Sequence, residues 1–496
     1  MKATRREWIG LGVIALPCVL YAMDLTVLNL AVPHISADLR PTSSQLLWIV
    51  DIYGFVLAGL LITMGTLGDR IGRRRLLLIG AAAFGVASVL AAFSRSAEML
   101  IAARAILGVA GATLAPSTLS LIRNMFVDPK QRTVAIGVWI TSYSAGGAIG
   151  PPLGGLLLDR FWWGSVFLIG VPVMLLLLVL GPLLLPEFRD PNAGRIDLFS
   201  ALLSLTAVLL VIYGIKRFAQ GTTSWWPAMS IVIGLVIGVV FIRRQRMLVD
   251  PLIDLKLFRA RPFSMALAAY TLGTFVAFGL FLFTAQYLQL VLGLSPLQAG
   301  LWTMPTMGAF IVGSLLTPII VRRLRPELLM AVGLAVAALG YVIIARAGIS
   351  SGLLALVTGS VVYALGLAPV FTLTTDMIVG AAPPERAGVA AALSETGSEL
   401  GGALGIAILG SIGTAVYRGA MTQVIPNGLS SAESQAVRGT LGGAMAIAQQ
   451  LPTHLGAALV GTAREAFIQA LHLTSYICAF VVLATAVAVV VLLRNR

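Results

Sequence analysis

Apolar stretches of about 18 to 25 residues recur along the whole 496-residue chain, each long enough to cross a hydrocarbon core of roughly 30 Å as one helix. Lipid offers no water to satisfy backbone N–H and C=O groups, so a spanning stretch of this kind has to be helical. The fold class expected is therefore all-α and integral to a membrane. A large soluble core is excluded by composition: 58% of residues are hydrophobic, 11% are charged, and mean hydropathy is +0.96. About fourteen spans are expected, at 8–32, 45–67, 76–94, 98–122, 134–158, 164–185, 198–216, 227–243, 263–288, 297–320, 328–346, 352–376, 387–414 and 466–492. Lys2, Arg5 and Arg6 resemble the basic flank of a signal peptide. The apolar run continues through Asp24 to about Val32 without a cleavage site, so it is read as a retained first span.

Charge gives the orientation. With the N-terminus inside, cytoplasmic segments hold 24 of the 34 Lys and Arg residues, outer segments hold 9, and Arg104 lies within a span. The net charge of +14 is then membrane topology and not a nucleic-acid footprint, since the cations sit in short loops such as Arg243–Arg246 and Arg322–Arg325. Anionic inner-leaflet lipid is the expected partner, both termini are expected in the cytoplasm of an inner-membrane protein, and a monomer is expected to suffice. Cys18 and Cys478 fall in predicted helices near opposite ends, and His34, His454 and His472 have no metal-ligand spacing. No phosphate-binding loop ending in Gly-Lys exists, and no nucleophile–base constellation appears. No enzyme, metal or organic cofactor is expected; the driving force would be a proton gradient.

The spans fall into six, two and six. That pattern predicts an N-terminal bundle over 1–197, two accessory helices with a cytoplasmic linker over 198–262, and a C-terminal bundle over 263–496 with a long outer loop at 415–465. Within that loop, Ser430–Gln450 and Pro452–Glu465 read as short amphipathic helices, either a cap on the outer mouth or a spacer. Gly65–Arg75 (GTLGDRIGRRR) joins the second and third spans. Glycines there let two helices approach closely, the arginines stay in water, and Asp69 can pair with a cation or a helix terminus. Gly65, Asp69, Arg70, Gly72 and Arg73 are candidate gating residues, although a topology signal alone would also account for the cations. Gly313–Arg323 is a weaker echo that lacks the aspartate. Glycines and prolines at Gly146, Gly150, Pro151, Gly154 and Gly155 suit a tightly packed, kinked fifth helix, either a gate seal or simple packing.

Gly65–Arg75 resembles the cytoplasmic signature of the major facilitator superfamily. Leu100–Gly108 (LIAARAILG) is similar to its fourth-helix motif with a buried arginine, and Gly146–Gly155 (GGAIGPPLGG) to its antiporter motif. Met23–Pro33 (MDLTVLNLAVP) resembles the first helix of the fourteen-span drug:proton antiporters. The resemblance covers essentially the whole chain and is to multidrug efflux pumps of the LfrA, SmvA and QacA type. It implies a major facilitator fold and export of quaternary ammonium compounds and cationic dyes in exchange for protons. The chain departs from the family pattern at Trp162–Phe167, where many relatives carry a second arginine, and at Glu399, where many carry glutamine.

Read on their own physics, the buried acids point the same way. An acid inside a span is costly, so membranes tolerate few without a use. Asp24, Asp51 and Arg104 share a depth of roughly 10 Å from the outer face at a rise of about 1.5 Å per residue. An arginine nearby would hold an acid ionised and desolvation would favour its neutral form, so a conformational change that alters either can load or release a proton; a static ion pair is the alternative. Glu395 and Glu399, four residues apart, share a helix face and would titrate as a pair. Asp376 reads as a solvated helix-end residue.

Aromatic and Met-rich spans beside these acids suit lipophilic cations. Candidate substrate contacts are Asp24, Glu399, Tyr21, Tyr53, Trp139, Tyr143, Phe275, Phe278, Tyr287 and Trp302, with Trp48 and Met307 nearby in the pattern; packing or lipid exposure would also place aromatics there. The alternatives are export of an endogenous amphiphile such as a lipid or siderophore, or a non-transporting membrane sensor.

Overall fold

The computed structural model describes residues 3–41, 43–189, 197–219, 225–248, 251–349, 352–422 and 430–493. Among them there are helices and no strands. In the first half lie α1 (Arg5–Leu39), α2 (Ser43–Ile71), α3 (Arg73–Ala92), α4 (Ala97–Met125), α5 (Pro129–Arg160), α6 (Ser165–Leu168) and α7 (Gly170–Leu184). Next come α8 (Leu198–Ala219) and α9 (Trp226–Met247). The later part holds α10 (Arg261–Gln286), α11 (Pro296–Ile320), α12 (Pro326–Ile344), α13 (Gly352–Ala381), α14 (Ala387–Met421), α15 (Ser431–Gly439), α16 (Leu441–Ala448) and α17 (Thr453–Leu493).

Twelve helical stretches among the described residues are long and apolar enough to cross a membrane. The helices α5 and α8 fall outside that set: α5 is diluted by glycine, serine and threonine, and the apolar part of α8 is the shorter Phe199–Ile215. Two further departures from the expected spans are local. The sixth span breaks at Ile169 into α6 and α7, and the expected separate helix at Pro452–Glu465 is the beginning of α17, which is continuous from Thr453.

Local chemistry explains the ends. Asp128 accepts from the backbone N–H groups of Lys130 (2.8 Å) and Gln131 (3.2 Å) ahead of Pro129, a preorganised start for α5. The Gln131 and Lys130 hydrogen bonds hold that carboxyl below its ordinary value. Glu187 accepts from the N–H groups of Arg74 and Arg75, both at 3.1 Å, at the start of α3. Gly72 immediately before it has φ 111°, and a Cβ there would lie 2.6 Å from the Glu187 carboxylate.

The helices α1 to α7 pack mainly on one another, as do α10 to α14 with α17. The two sets meet along α2 against α14 and α5 against α11. The helix α9 packs on α8, but α8 itself lies in the seam: Phe55 and Ala58 of α2, Ile212 of α8 and Leu400 of α14 share one apolar cluster. In the outer region Tyr417 donates to the Val437 carbonyl (3.2 Å) and Arg464 to the Leu290 carbonyl (3.1 Å), tying the short α15 and the base of α17 down onto the bundle. Cys18 and Cys478 are both free and buried.

Small residues set the closest approaches. Between α12 and α13, a Cβ on Gly366 would stand 2.5 Å from the Ala337 nitrogen and 3.0 Å from its Cα. Gly366→Leu is expected to destabilise the later helices by about 3 kcal/mol or more, because backbone and not a flexible side chain is in the way. Thermal unfolding in detergent checks this, with Leu354→Ala on the exposed face of α13 as a control that leaves the midpoint unchanged.

Candidate functional site

Asp24, midway along α1, and Arg104, two turns into α4, form a salt bridge of 2.7 Å, with Arg104 buried and Asp24 partly buried. The guanidinium has further partners: its Nε donates to the Ile49 carbonyl (3.1 Å) and its carbon lies 4.8 Å from the Tyr53 ring centroid. Removing either partner of such a pair leaves a buried charge at a cost of about 3–5 kcal/mol. The depth matching expected for Asp24 and Arg104 is thus a direct contact. The Asp51 side chain lies outside the described residues, so its expected place in this group has no structural account.

One turn inward, Tyr21 joins the two sets of helices. Its hydroxyl donates to the Glu399 carboxylate of α14 at 3.0 Å, and its ring packs edge-on to Tyr143 (5.5 Å) and near Tyr53 (6.3 Å). Tyr143 meets Trp139 at 4.8 Å, as their i, i+4 spacing on α5 predicts, and the Trp139 indole donates to Thr118 of α4 (3.1 Å). Glu395 is buried on α14, and its Oε1 has no hydrogen-bond partner among the described residues. Tyr270 of α10 lies beside it and packs edge-on to Phe371 (5.2 Å). The centre of the molecule is therefore an aromatic box, Tyr21, Tyr53, Trp139 and Tyr143, with acids on either side.

Other aromatic candidates are placed elsewhere. Tyr287 is buried and donates to the Gly348 carbonyl (2.5 Å), while Trp302 and Trp48 are exposed on the outside of their helices. Phe278 is half exposed with its ring against Gly402, and the Phe275 backbone is the surface against which Gly405 packs. These residues do not join the Tyr21 cluster.

At one end of the bundle, the Gly65–Arg75 turn reaches the first turn of α14. Asp69 Oδ1 accepts from Arg73 (2.8 Å) and from the Gly388 N–H (3.0 Å), and Oδ2 accepts from the Val389 N–H (3.2 Å). Arg73 also donates to the Pro384 carbonyl (2.5 Å). The aspartate thus pairs with a cation and with a helix terminus at once. Arg73 is buried, contrary to the expectation that the arginines of this turn stay in water; Arg75 is exposed and Arg70 half-buried. A Cβ on Gly65 would lie 2.5 Å from the Gly388 carbonyl oxygen, so the seam closes only with glycine there.

On α5, a Cβ at Gly146 would strike the Val19 backbone, and one at Gly154 would lie 2.7 Å from Val27. Gly150 is buried in the same row, whereas Gly155 faces open space and the Pro151 side chain lies outside the described residues. A second link across the seam escaped the sequence. Asp376 of α13 receives hydrogen bonds from Arg132 (2.5 Å) and Thr133 (2.7 Å) of α5, so it is a paired, half-buried residue and not a solvated helix end. The signal available was weak: both residues sit near the cytoplasmic ends of their spans, but nothing in the chain says that α5 and α13 are neighbours.

Comparison with known proteins agrees with this architecture. The profile of the Major Facilitator Superfamily matches residues 14–406. The chain belongs to this superfamily. It is 45% identical to the multidrug efflux pump LfrA of Mycolicibacterium smegmatis over 494 residues, covering 100% of this chain and 98% of that one. It is also 37% identical to the methyl viologen resistance protein SmvA of Salmonella typhimurium, over 93% of both chains. Among solved structures, the human organic anion transporter MFSD10 superposes with a TM-score of 0.61 at 16% identity, covering 96% of this chain and 99% of that one, which is a likeness of fold. The superfamily and these relatives place the chain among multi-pass membrane transporters with multidrug-efflux kin, not among enzymes.

Asp69→Asn is expected to weaken the α2–α14 seam by about 1–3 kcal/mol, the worth of charge-assisted hydrogen bonds to one carboxylate. Electron-spin distances between labels on the cytoplasmic ends of α2 and α14 should then show a larger separated population. An unchanged distribution would remove Asp69 from the gate.

Proposed function

We propose that the chain is a proton-coupled antiporter that exports lipophilic cations, including quaternary ammonium biocides, dyes and drugs, across the cytoplasmic membrane by alternating access. The observation that carries the reading is the hydrogen bond from Tyr21 to Glu399, which puts an acid of one helix set against the aromatic box of the other, one turn from the Asp24–Arg104 pair. Aromatic faces attract a cation, and carboxylates bind it when ionised and release it when protonated. A site shared by two helix sets changes when the sets separate, so binding and opening are linked.

In this mechanism the six-helix units 1–197 and 263–496 rock about the seam, with 198–262 supplying two accessory helices to make fourteen spans. The N- and C-termini face the cytoplasm, lipid surrounds the bundle, one copy suffices, and the proton gradient is the driving force with no cofactor. Asp24, Glu395 and Glu399, together with Asp51, take up protons from outside as the cation leaves; Arg104 tunes Asp24. The links through Asp69 and Asp376 hold the inner face closed while the outer path is in use. Gly146 and Gly154 support this by seating α5 on α1, where a rigid pair moves as one body.

Inverted vesicles with an imposed proton gradient test the reading, using ethidium and a quaternary ammonium compound as cargo. Asp24→Asn is expected to lower gradient-driven uptake by about tenfold or more, and Glu399→Gln to weaken cation binding by about tenfold, as loss of about 1.4 kcal/mol requires. Wild-type uptake in Asp24→Asn would overturn the coupling assignment, and absence of gradient-driven transport of either cation would overturn the substrate class.

A further inference from the structure

A cavity reaches Asp24 from a flank of α1 that Tyr21 does not line. It is bounded by Asp24 and Leu28 of α1, Phe84 and Ser88 of α3, Phe167 of α6 and Gly170 of α7. Leu20, Met23, Asp24, Val27 and Leu28 share one face of α1, whereas Tyr21 lies about 90° from the centre of that face, where it meets Tyr143 and Glu399. None of Tyr21, Tyr53, Trp139, Tyr143, Glu395 or Glu399 lines this cavity. Asp24 therefore borders the cavity on one side and the Arg104 guanidinium on another.

We propose that this cavity is a hydrated proton-entry vestibule, through which water delivers protons to Asp24 from the outer side without passing through the cation site. The inference rests on the reading of Asp24 as a coupling acid and on the cytoplasmic N-terminus. Its position follows from the helices. Phe84 and Ser88 lie in the outer part of α3, which starts at the Asp69 face and ends at Ala92, and Phe167 and Gly170 lie at the beginning of the α6–α7 pair. Leu28 is one turn beyond Asp24 along α1 in the same direction. The chemistry suits water: a carboxylate and the buried Ser88 hydroxyl supply two polar partners in an otherwise apolar wall.

Its width excludes the other ligand. A Cβ built on Gly170 would lie 3.1 Å from Ser88 Oγ, 3.2 Å from Phe84 and 3.3 Å from Leu20, so a single methyl already touches three walls. A lipophilic cation needs far more room than that. The break at Ile169 places Gly170 at this point, and the absence of its side chain keeps the passage open. The charged and titratable groups around Asp24 all lie on the other flank: Arg104 of α4 in direct contact, Tyr53 of α2 beneath the guanidinium, and Glu399 of α14 through Tyr21. Among the described residues, α3, α6 and α7 contribute no charged group to the cavity.

Two routes to one carboxylate change the order of events. A proton arriving through the vestibule reaches Asp24 while the cation still occupies the aromatic box, weakens its hold on Arg104, and so drives release instead of waiting for it. Shutting the vestibule should slow coupling and leave cation binding intact. In proteoliposomes, Gly170→Val is expected to lower proton-driven ethidium uptake by about tenfold with ethidium affinity within about twofold of wild type, and Ser88→Ala to lower uptake by about threefold. Wild-type uptake in Gly170→Val, with Asp24→Asn uncoupled in parallel, overturns the vestibule while the coupling reading stands; wild-type uptake in Asp24→Asn overturns both. Should Gly170→Val fail to fold, Ser88→Cys in a protein also carrying Cys18→Ser and Cys478→Ser gives an independent readout. Silver ions added from the outer side should react at 88 at an unchanged rate under saturating tetraphenylphosphonium. Protection by that cation would route access through the central site and overturn the proposal.

Discussion

The first backbone N–H groups of any helix lack partners within it, and α14 starts at the seam between the two helix sets, where that deficit has to be met. Asp69 meets it from 319 residues earlier in the chain, capping Gly388 and Val389 while it holds Arg73. The contact is possible because Gly65 and Gly388 bring two backbones together without side chains between them. This contact between α2 and α14 therefore depends on one carboxylate and two glycines. Each of these bonds has a ready substitute when the seam parts: the α14 N–H groups turn to water, and Asp69 keeps Arg73, its neighbour by i, i+4 on the same side of the seam. An interaction that water can replace at small net cost suits a contact that must form and break in every cycle.

The Asp24–Arg104 pair is built on the opposite principle. Both residues belong to the earlier helix set, Arg104 is buried, and its Nε and its π face meet the Ile49 carbonyl and Tyr53. Parting the two helix sets does not by itself expose it, so the pair can stay made through the cycle and change only when a proton or cation alters the charge on Asp24. Glu399 is different again, because its link to Tyr21 crosses the seam. One acid is held within a unit and the other is shared between units, which lets charge on the first bias the packing of the second.

What was legible in the chain was what one dimension can carry. Apolar runs give helices, depth along a run gives the level of Asp24 and Arg104, and i, i+4 spacing gives the Trp139–Tyr143 contact. The Gly65–Arg75 turn also declared itself, because five charges between two apolar spans have few places to go. What was not legible depends on which helix neighbours which. Asp376 looks like a solvated end until α5 brings Arg132 and Thr133 to it. Tyr287 and Trp302 look like Tyr21 in composition, yet one is spent on a backbone carbonyl and the other faces outward. The break that separates α6 from α7 does have a local signal, Pro172, whose missing N–H leaves the Leu168 carbonyl without its i+4 donor.

The position of α8 bears on how such a machine moves. Ile212 packs with Phe55 and Ala58 of α2 and is flanked by Leu400 of α14, the residue next to Glu399. A Cβ on Gly59 of α2 would collide with Leu205 and approach Leu209 to 3.1 Å, so α8 is seated in a groove of α2, whereas its contact with α14 is made by side chains alone at the rim of that cluster. Interlocked surfaces resist sliding and side-chain contacts tolerate it. On these grounds α8 travels with the earlier helix set and α14 slips past it. The slip takes place beside Glu399, so rearrangement of that carboxylate and movement of the lipid-facing seam are parts of one motion. Under the proposed alternating-access cycle, the inserted helices would serve as a side wall of the seam while the central site changes sides.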